Sequence, residues 1–107
     1  MDAIDLVREH FASLGTKKIE VPEWKLTIYA TPVTLAEKNK LYRKSRESDM
    51  ELLVDILILK ATDADGKKLF DIDHKPTLLN KADSNIVARV ANAIISTEAP
   101  TVEELKN

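Results

Sequence analysis

The chain has 107 residues, 44% of them hydrophobic and 32% charged, with 16 basic against 18 acidic residues and a formal charge of -2. That length and balance suit one domain, residues 1–107, able to hold a core by packing alone, and they supply no net field that would draw the whole molecule to nucleic acid or an anionic membrane. With 0 Cys, disulfides, thiolate metal centres and cysteine nucleophiles are excluded, and a reducing compartment such as the cytosol is the expected setting.

The first residues, Met1-Asp2-Ala3-Ile4-Asp5, are acidic where a secretory leader is basic. The longest apolar stretch, Leu52 to Leu59, contains Asp55 and falls far short of the roughly 18 residues that span a bilayer, so no membrane association is expected. From Asp2 to Leu14 the apolar residues Ile4, Val7, Phe11 and Leu14 recur at spacings of three and four, one stripe of an amphipathic helix that Gly15 terminates. Ordinary core packing is the favoured reading of that stripe. Docking on a neighbouring subunit or another partner is the alternative.

From Lys17 the period changes to two. Ile19 and Val21, then Leu26, Ile28 and Ala30, flank Pro22-Glu23-Trp24-Lys25, which reads as a β-hairpin. Pro22 opens the connection because it cannot donate to a ladder, and Trp24 is read as the rim of the core, with an exposed partner contact as the alternative. Thr34-Leu35-Ala36-Glu37 has capping-box spacing and starts a helix whose apolar face is thin, Leu35, Leu41 and Tyr42. Lys38, Lys40, Arg43, Lys44 and Arg46 make it locally basic. Ser48-Asp49-Met50-Glu51 repeats the spacing, predicting a turn near Glu47 and Ser48 and a second helix from Met50 to Ala61, apolar nearly all round and therefore central. Ala61-Thr62 and Lys68-Leu69-Phe70 flank the Asp-Gly turn at Asp65-Gly66 as a short second hairpin. Asp71 to Pro76 reads as loop, Leu78-Leu79 as one helical turn, and Asp83 as the cap of a helix running to Ser96 with the stripe Ile86, Val87, Val90, Ala91, Ile94 and Ile95, expected to pack on the central helix. After the linker Thr97 to Pro100, Thr101-Val102-Glu103-Glu104 opens a very short terminal helix. The predicted class is α+β, mainly α-helical: a small helical domain with an N-terminal β-hairpin and a short second hairpin.

The chain offers little to catalysis. Asp63-Ala64-Asp65-Gly66 resembles the start of a calcium loop, but with Gly66 at loop position 6 the required oxygen ligands at positions 1 and 12 become Ala61 and Ile72. A turn explains the segment better. Asp65, Asp71, Asp73 and His74 have no recognisable transition-metal spacing, and 2 Gly cannot build a phosphate cradle. No catalytic residue, cofactor or metal is therefore expected. The basic run 38–46 is interleaved with Glu37 and Glu47 and has one aromatic, Tyr42, which argues for a solvated face over nucleic-acid contact. Asp55 sits among Val54, Ile56 and Leu57, where a carboxylate more often caps, pairs with a base such as Lys60 or Arg89, or faces a groove than performs acid-base work.

In order along the chain, Ile19-Glu20-Val21-Pro22-Glu23-Trp24, Leu26-Thr27-Ile28-Tyr29, Pro32-Val33-Thr34-Leu35-Ala36-Glu37, Asp63-Ala64-Asp65-Gly66-Lys67-Lys68-Leu69-Phe70 and the ending Val102-Glu103-Glu104-Leu105-Lys106-Asn107 resemble the tail assembly chaperones of long-tailed, non-contractile bacteriophages. The resemblance rests on their succession from Lys17 to Asn107. Two departures stand out: Lys25 where members often carry Gly after the Trp, and Ala30-Thr31 where a basic residue often precedes the first long helix. The resemblance implies a mostly helical, non-catalytic protein of the host bacterial cytoplasm, absent from the mature virion. Such a protein binds the tape-measure protein and keeps its hydrophobic helices soluble until tail tube protein replaces it, and it can form a homo-oligomer. Under that reading Ile4, Val7, Phe11, Leu14 and Trp24 are the candidate partner contacts. The resemblance also implies a longer product made by a backward ribosomal slip, which codons for Leu105-Lys106-Asn107 permit. The rival reading is a small nucleic-acid-binding regulator using the basic helix 38–46.

Overall fold

The structure, a computed structural model, describes residues 2–44 and 49–96. The turn at Glu47 and Ser48 with its capping box, Arg46 of the basic run, and the predicted linker and terminal helix from Thr97 to Asn107 lie outside the described residues. Along the rest, α1 (Ala3–Leu14) leads into β1 (Lys17–Val21) and β2 (Leu26–Ala30), followed by α2 (Leu35–Lys44), α3 (Asp49–Lys60), α4 (Lys75–Asn80) and α5 (Ser84–Ile95). This is a mainly helical α+β arrangement in which α2, α4 and α5 pack on α3 while β1 lies on α5.

The hairpin forms in the register that its alternation dictates. Lys17 pairs with Ala30, Ile19 with Ile28 and Val21 with Leu26, so one face of the pleat carries Val21, Ile28 and Ala30 completely out of water. Pro22 starts a short 3-10 turn, Pro22–Trp24, closed by the Lys25 N–H donating to the Pro22 carbonyl at 3.0 Å. Lys25 takes φ 52 and ψ 44 to make that closure, a left-handed conformation that suits Gly and costs an L side chain roughly 1 kcal/mol or more. Lys25 thus stands at a position where the backbone itself favours Gly.

The predicted second hairpin forms in minimal form: Thr62 and Lys68 make a single antiparallel bridge, and the Leu69 N–H donates to the Ala61 carbonyl at 3.1 Å. Thr62 exchanges two hydrogen bonds with Tyr29 (2.8 and 2.9 Å) and bridges to Lys68, so one residue serves as a third strand on the free edge of β2. Asp63 organises the turn: its Oδ1 accepts from the N–H groups of Asp65 (2.8 Å) and Lys67 (3.0 Å), and its carbonyl from Gly66. That is the Asx chemistry of a turn, with φ 86 at Gly66.

Residues 71–76, read as loop, are corrected, while the expected helical turn at Leu78-Leu79 belongs to a longer helix. Asp71 accepts from the Asp73 N–H at 2.9 Å while its own N–H donates to His74 Nδ1 at 3.0 Å, a reciprocal cap that opens the 3-10 turn Ile72–His74. The chain continues directly into α4, with Pro76 in its first turn, where a missing N–H costs nothing.

The core gathers Val54, Ile56 and Leu57 of α3, Val87, Val90, Ala91 and Ile94 of α5, Leu41 of α2, Leu78 of α4 and the inner face of the hairpin. The predicted α5 stripe is therefore the buried one, and Asp83 caps the helix as expected, accepting from the Asn85 N–H at 2.8 Å. The thin face of α2 is thinner than expected: Leu41 is buried, but Leu35 and Tyr42 stand in solvent.

Two lysines close the fold electrostatically. Lys60, only 6% exposed at the end of α3, donates to both carboxylate oxygens of Glu37 (3.0 Å each) and to Thr31 Oγ1 (2.8 Å). Glu37 in turn completes the predicted capping box, taking the Thr34 N–H at 3.0 Å while Thr34 Oγ1 takes the Glu37 N–H at 3.1 Å. Cation at a helix C-terminus and anion at a helix N-terminus both suit the helix dipoles. Burial pushes the Glu37 carboxyl up, but the Thr34 N–H and the Lys60 ammonium outweigh it and hold the group below its ordinary range. Lys17 reaches from β1 to the Ala93 carbonyl in the last turn of α5 at 2.9 Å, and partial burial lowers its pKa. α5 has no basic residue of its own there, so the strand supplies the missing cation.

Candidate partner-binding surface

α1 forms for local reasons: Asp2 lies extended at its N-cap, the Asp2 carbonyl accepts from Asp5 and Leu6, and Gly15 at φ 66 ends it. No residue of α1 is buried, and it has no extensive packing against any described element. Ile4, Leu6, Val7 and Phe11 are between 42 and 61% exposed, and Leu14 is half-buried. The favoured reading of the stripe as core is therefore overturned. Leu6, which lies off the three-and-four spacing and about 100° round the helix from Val7, was not part of the expected stripe and is exposed as well.

A helix of this length with no extensive packing against any described element stands at the edge of what persists in water, since isolated helices shorter than about 12–15 residues are marginal even when rich in Ala. α1 gathers four exposed large apolar side chains on one short helix.

The structure places Trp24 elsewhere. It is half-buried at the hairpin tip, edge-on to Phe70 with ring centroids 6.2 Å apart, and Phe70 meets His74 edge-on at 6.4 Å. That is the core rim, as the sequence favours. Beside it Glu23 and Arg89 pair through both oxygens and both guanidinium nitrogens, at 2.6 and 2.9 Å. The Arg89 hydrogen bonds hold the Glu23 carboxyl down at about 2 and raise the Arg89 pKa. The tip of the hairpin is thus tied to α5, on a different part of the molecule from the α1 stripe.

Two clefts flank α3. One, of about 350 Å³, runs between α3, α4 and α5 and is walled by Met50, Leu53, Leu79, Ala82 and Ala88, with Met50 67% and Leu79 40% exposed. Among the described residues no charged side chain lines it, Ser84 and Asn85 being its polar members. The other, of about 290 Å³, lies between α2, α3 and the turn at Ile72, and carries Lys40, Lys68 and Asp71 beside Leu41, Ile58 and Leu59. Asp55, 5% exposed, faces this groove, as one of the expected alternatives has it, and pairs with Lys75 Nζ at 3.1 Å; the bases named from the sequence are corrected, since Lys60 pairs with Glu37 and Arg89 with Glu23.

The basic surface of α2 presents Lys40 and Arg43 with Ala36 and Asn39 along a shallow depression. Glu37, which the sequence counts as interleaved with this run, turns inward to Lys60. Among the described residues no three His, Asp or Glu side chains gather as a metal site would require, and no helix is long and apolar enough to cross a membrane. Comparison of the chain with protein-family models, with the curated proteins and with solved structures returns no match.

Proposed function

We propose that this protein is a non-catalytic tail assembly chaperone of a long-tailed bacteriophage, which binds the tape-measure protein in the host cytoplasm and yields it to tail tube subunits. The observation that carries the reading is α1, an amphipathic helix whose apolar residues Ile4, Val7 and Phe11 are left to solvent by its own fold. A helix-in-groove contact or a side-by-side helix contact is how such a face is used, and a long helical client offers many equivalent places for it. The sequence resemblance supports the same reading through its ordered segments, of which the hairpin, the Thr34–Glu37 capping box and the Asp63–Gly66 turn are each formed for a structural reason.

Co-expression with the tape-measure protein encoded beside it is the test. The client stays soluble with the wild-type chain, and the Val7→Asp/Phe11→Asp variant loses that effect while its melting transition is unchanged. An equally insoluble client with and without the chain overturns the proposal.

A second reading draws on one observation. Because Glu37 is neutralised by Lys60, the outer face of α2 is more cationic than its sequence implies, which favours a nucleic-acid contact through Lys40 and Arg43. A steep loss of DNA affinity with added salt, removed by Lys40→Gln/Arg43→Gln, would select it.

A further inference from the structure

We propose that the outer edge of β1 is a strand-addition site, which takes an extended segment of another protein whose sequence reads basic, aliphatic, acidic. This contact lies apart from the α1 stripe and does not rest on the chaperone reading. In an antiparallel ladder the N–H and C=O of one residue point to the same side, and successive residues point to opposite sides. Tyr29 turns both groups to Thr62. Its neighbours Ile28 and Ala30 therefore turn theirs to β1, where Ile19 and Lys17 meet them. Lys18 and Glu20 alternate with those rungs, so their N–H and C=O groups point away from β2. Among the described residues nothing donates to or accepts from these four groups. The two edges of the sheet thus differ: Thr62 covers that of β2, while β1 offers two open rungs.

Unpaired backbone groups at the spacing of a ladder are a template for one more strand. The side chains say which strand. Lys18 and Glu20 are exposed on the outer face of the pleat, and Ile19 is half-buried on the inner one. An antiparallel newcomer joined through both open rungs sets its first residue against Glu20, its second against Ile19 and its third against Lys18. Opposite charges across a rung attract and like charges repel, so the first is basic and the third acidic. The second lands beside Ile19 on the apolar side of the pleat, which calls for Val, Ile or Leu. A single sign of charge would guard the edge against strands in general, whereas a Lys and a Glu on successive rungs admit the complementary strand and repel the rest. β1 itself reads Lys18-Ile19-Glu20, so a second copy carries the same pattern. The edge is bounded closely on both sides, by α1 ending at Leu14 and by the 3-10 turn starting at Pro22, which suits a lone extended strand over a second domain bearing the same flanks.

The test is an NMR titration of the full chain with a capped peptide, Thr-Thr-Lys-Val-Glu-Thr-Thr. In the free protein the Lys18 and Glu20 amides are expected to exchange with solvent quickly and the Ile19 amide slowly. The peptide should shift the Lys18 and Glu20 resonances and slow their exchange, with a Kd on the order of 1 mM or tighter. N-methylation of its Lys and Glu removes the donors that meet the Glu20 and Lys18 carbonyls, keeps both charges, and should abolish binding. Lys18→Glu should weaken the peptide by about fivefold and strengthen its Lys-Val-Lys counterpart by a similar factor. Lys18 is exposed, so the slow exchange of Ile19 should survive the substitution.

Slow exchange of Lys18 and Glu20 in the free protein, no response at about 10 mM peptide, equal binding of the N-methylated peptide, or a charge preference unmoved by Lys18→Glu each overturns the proposal. Protection that grows with the concentration of the chain itself also overturns it, because the edge would then belong to a second copy.

Discussion

α1 and α5 are each twelve residues long, each amphipathic, and each preceded by an Asp in extended conformation, yet they end in opposite circumstances. α5 buries Val87, Val90, Ala91 and Ile94 against α3 and the hairpin, is capped by the Asp83 side chain, and is tied to the sheet by Glu23–Arg89 and Lys17. α1 buries nothing, and its Asp2 side chain makes no capping bond. Periodicity thus states that a face must be covered without saying by what. Whether the cover is the same chain or another is decided by topology, which brings β1 back along α5 and leaves α1 beyond Gly15.

The contrast is broken most forcefully by truncation. Ile94→Ala should cost about 2–5 kcal/mol in denaturant unfolding, because a fully packed site collapses poorly around a lost side chain. Ile4→Ala should stay within about 0.5 kcal/mol when measured dilute. A large loss for Ile4→Ala in the monomer would mean that α1 is packed after all. Capping sharpens the same comparison at smaller scale: Asp83→Ala should destabilise by about 1 kcal/mol and Asp2→Ala by much less. At the hairpin tip, Lys25→Gly should stabilise by about 1 kcal/mol, by relieving the left-handed backbone, against the usual penalty of adding Gly.

The smallest effect is electrostatic. The Glu23 pKa is depressed from 4.5 to about 2, so its pairing with Arg89 contributes stability that is fully present above about pH 4.5 and lost as the pH falls toward 2. Both side chains are about half exposed, so the contribution is small and screened by salt. Glu23→Gln should flatten the acid limb of a stability-against-pH curve, and the slope should shrink in high salt for the wild type alone.

Much of the fold was legible in the chain. The two changes of period located α1, the hairpin, α3 and α5, and Thr34–Glu37 and Asp83 marked real caps because capping is local chemistry. Of the helix at 75–80 only the turn at Leu78-Leu79 was legible; its start was hidden because Pro76 and the polar residues before it carry loop signals, and the reciprocal Asp71–His74 cap uses an imidazole where the usual pattern has Glu or Gln. The partners of Asp55 could not be read, since Lys60, Lys75 and Arg89 are chemically adequate and only their placement in space distributes them. The candidate surface was half legible: the α1 stripe is in the spacing, but its exposure and the cleft across from α3 exist only after the elements have packed.

The bond from Lys17 to the Ala93 carbonyl also has a mechanical meaning. Lys17 sits at the open end of the hairpin, paired with Ala30, and is the first strand residue to receive any tension applied through α1. Pulled from there, an antiparallel pair would peel rung by rung from Lys17↔Ala30 toward the tip, each hydrogen bond loaded alone. The ammonium anchored on α5 bridges that first rung to the body of the domain, so a tug on the arm is resisted by the helix before the sheet begins to unzip.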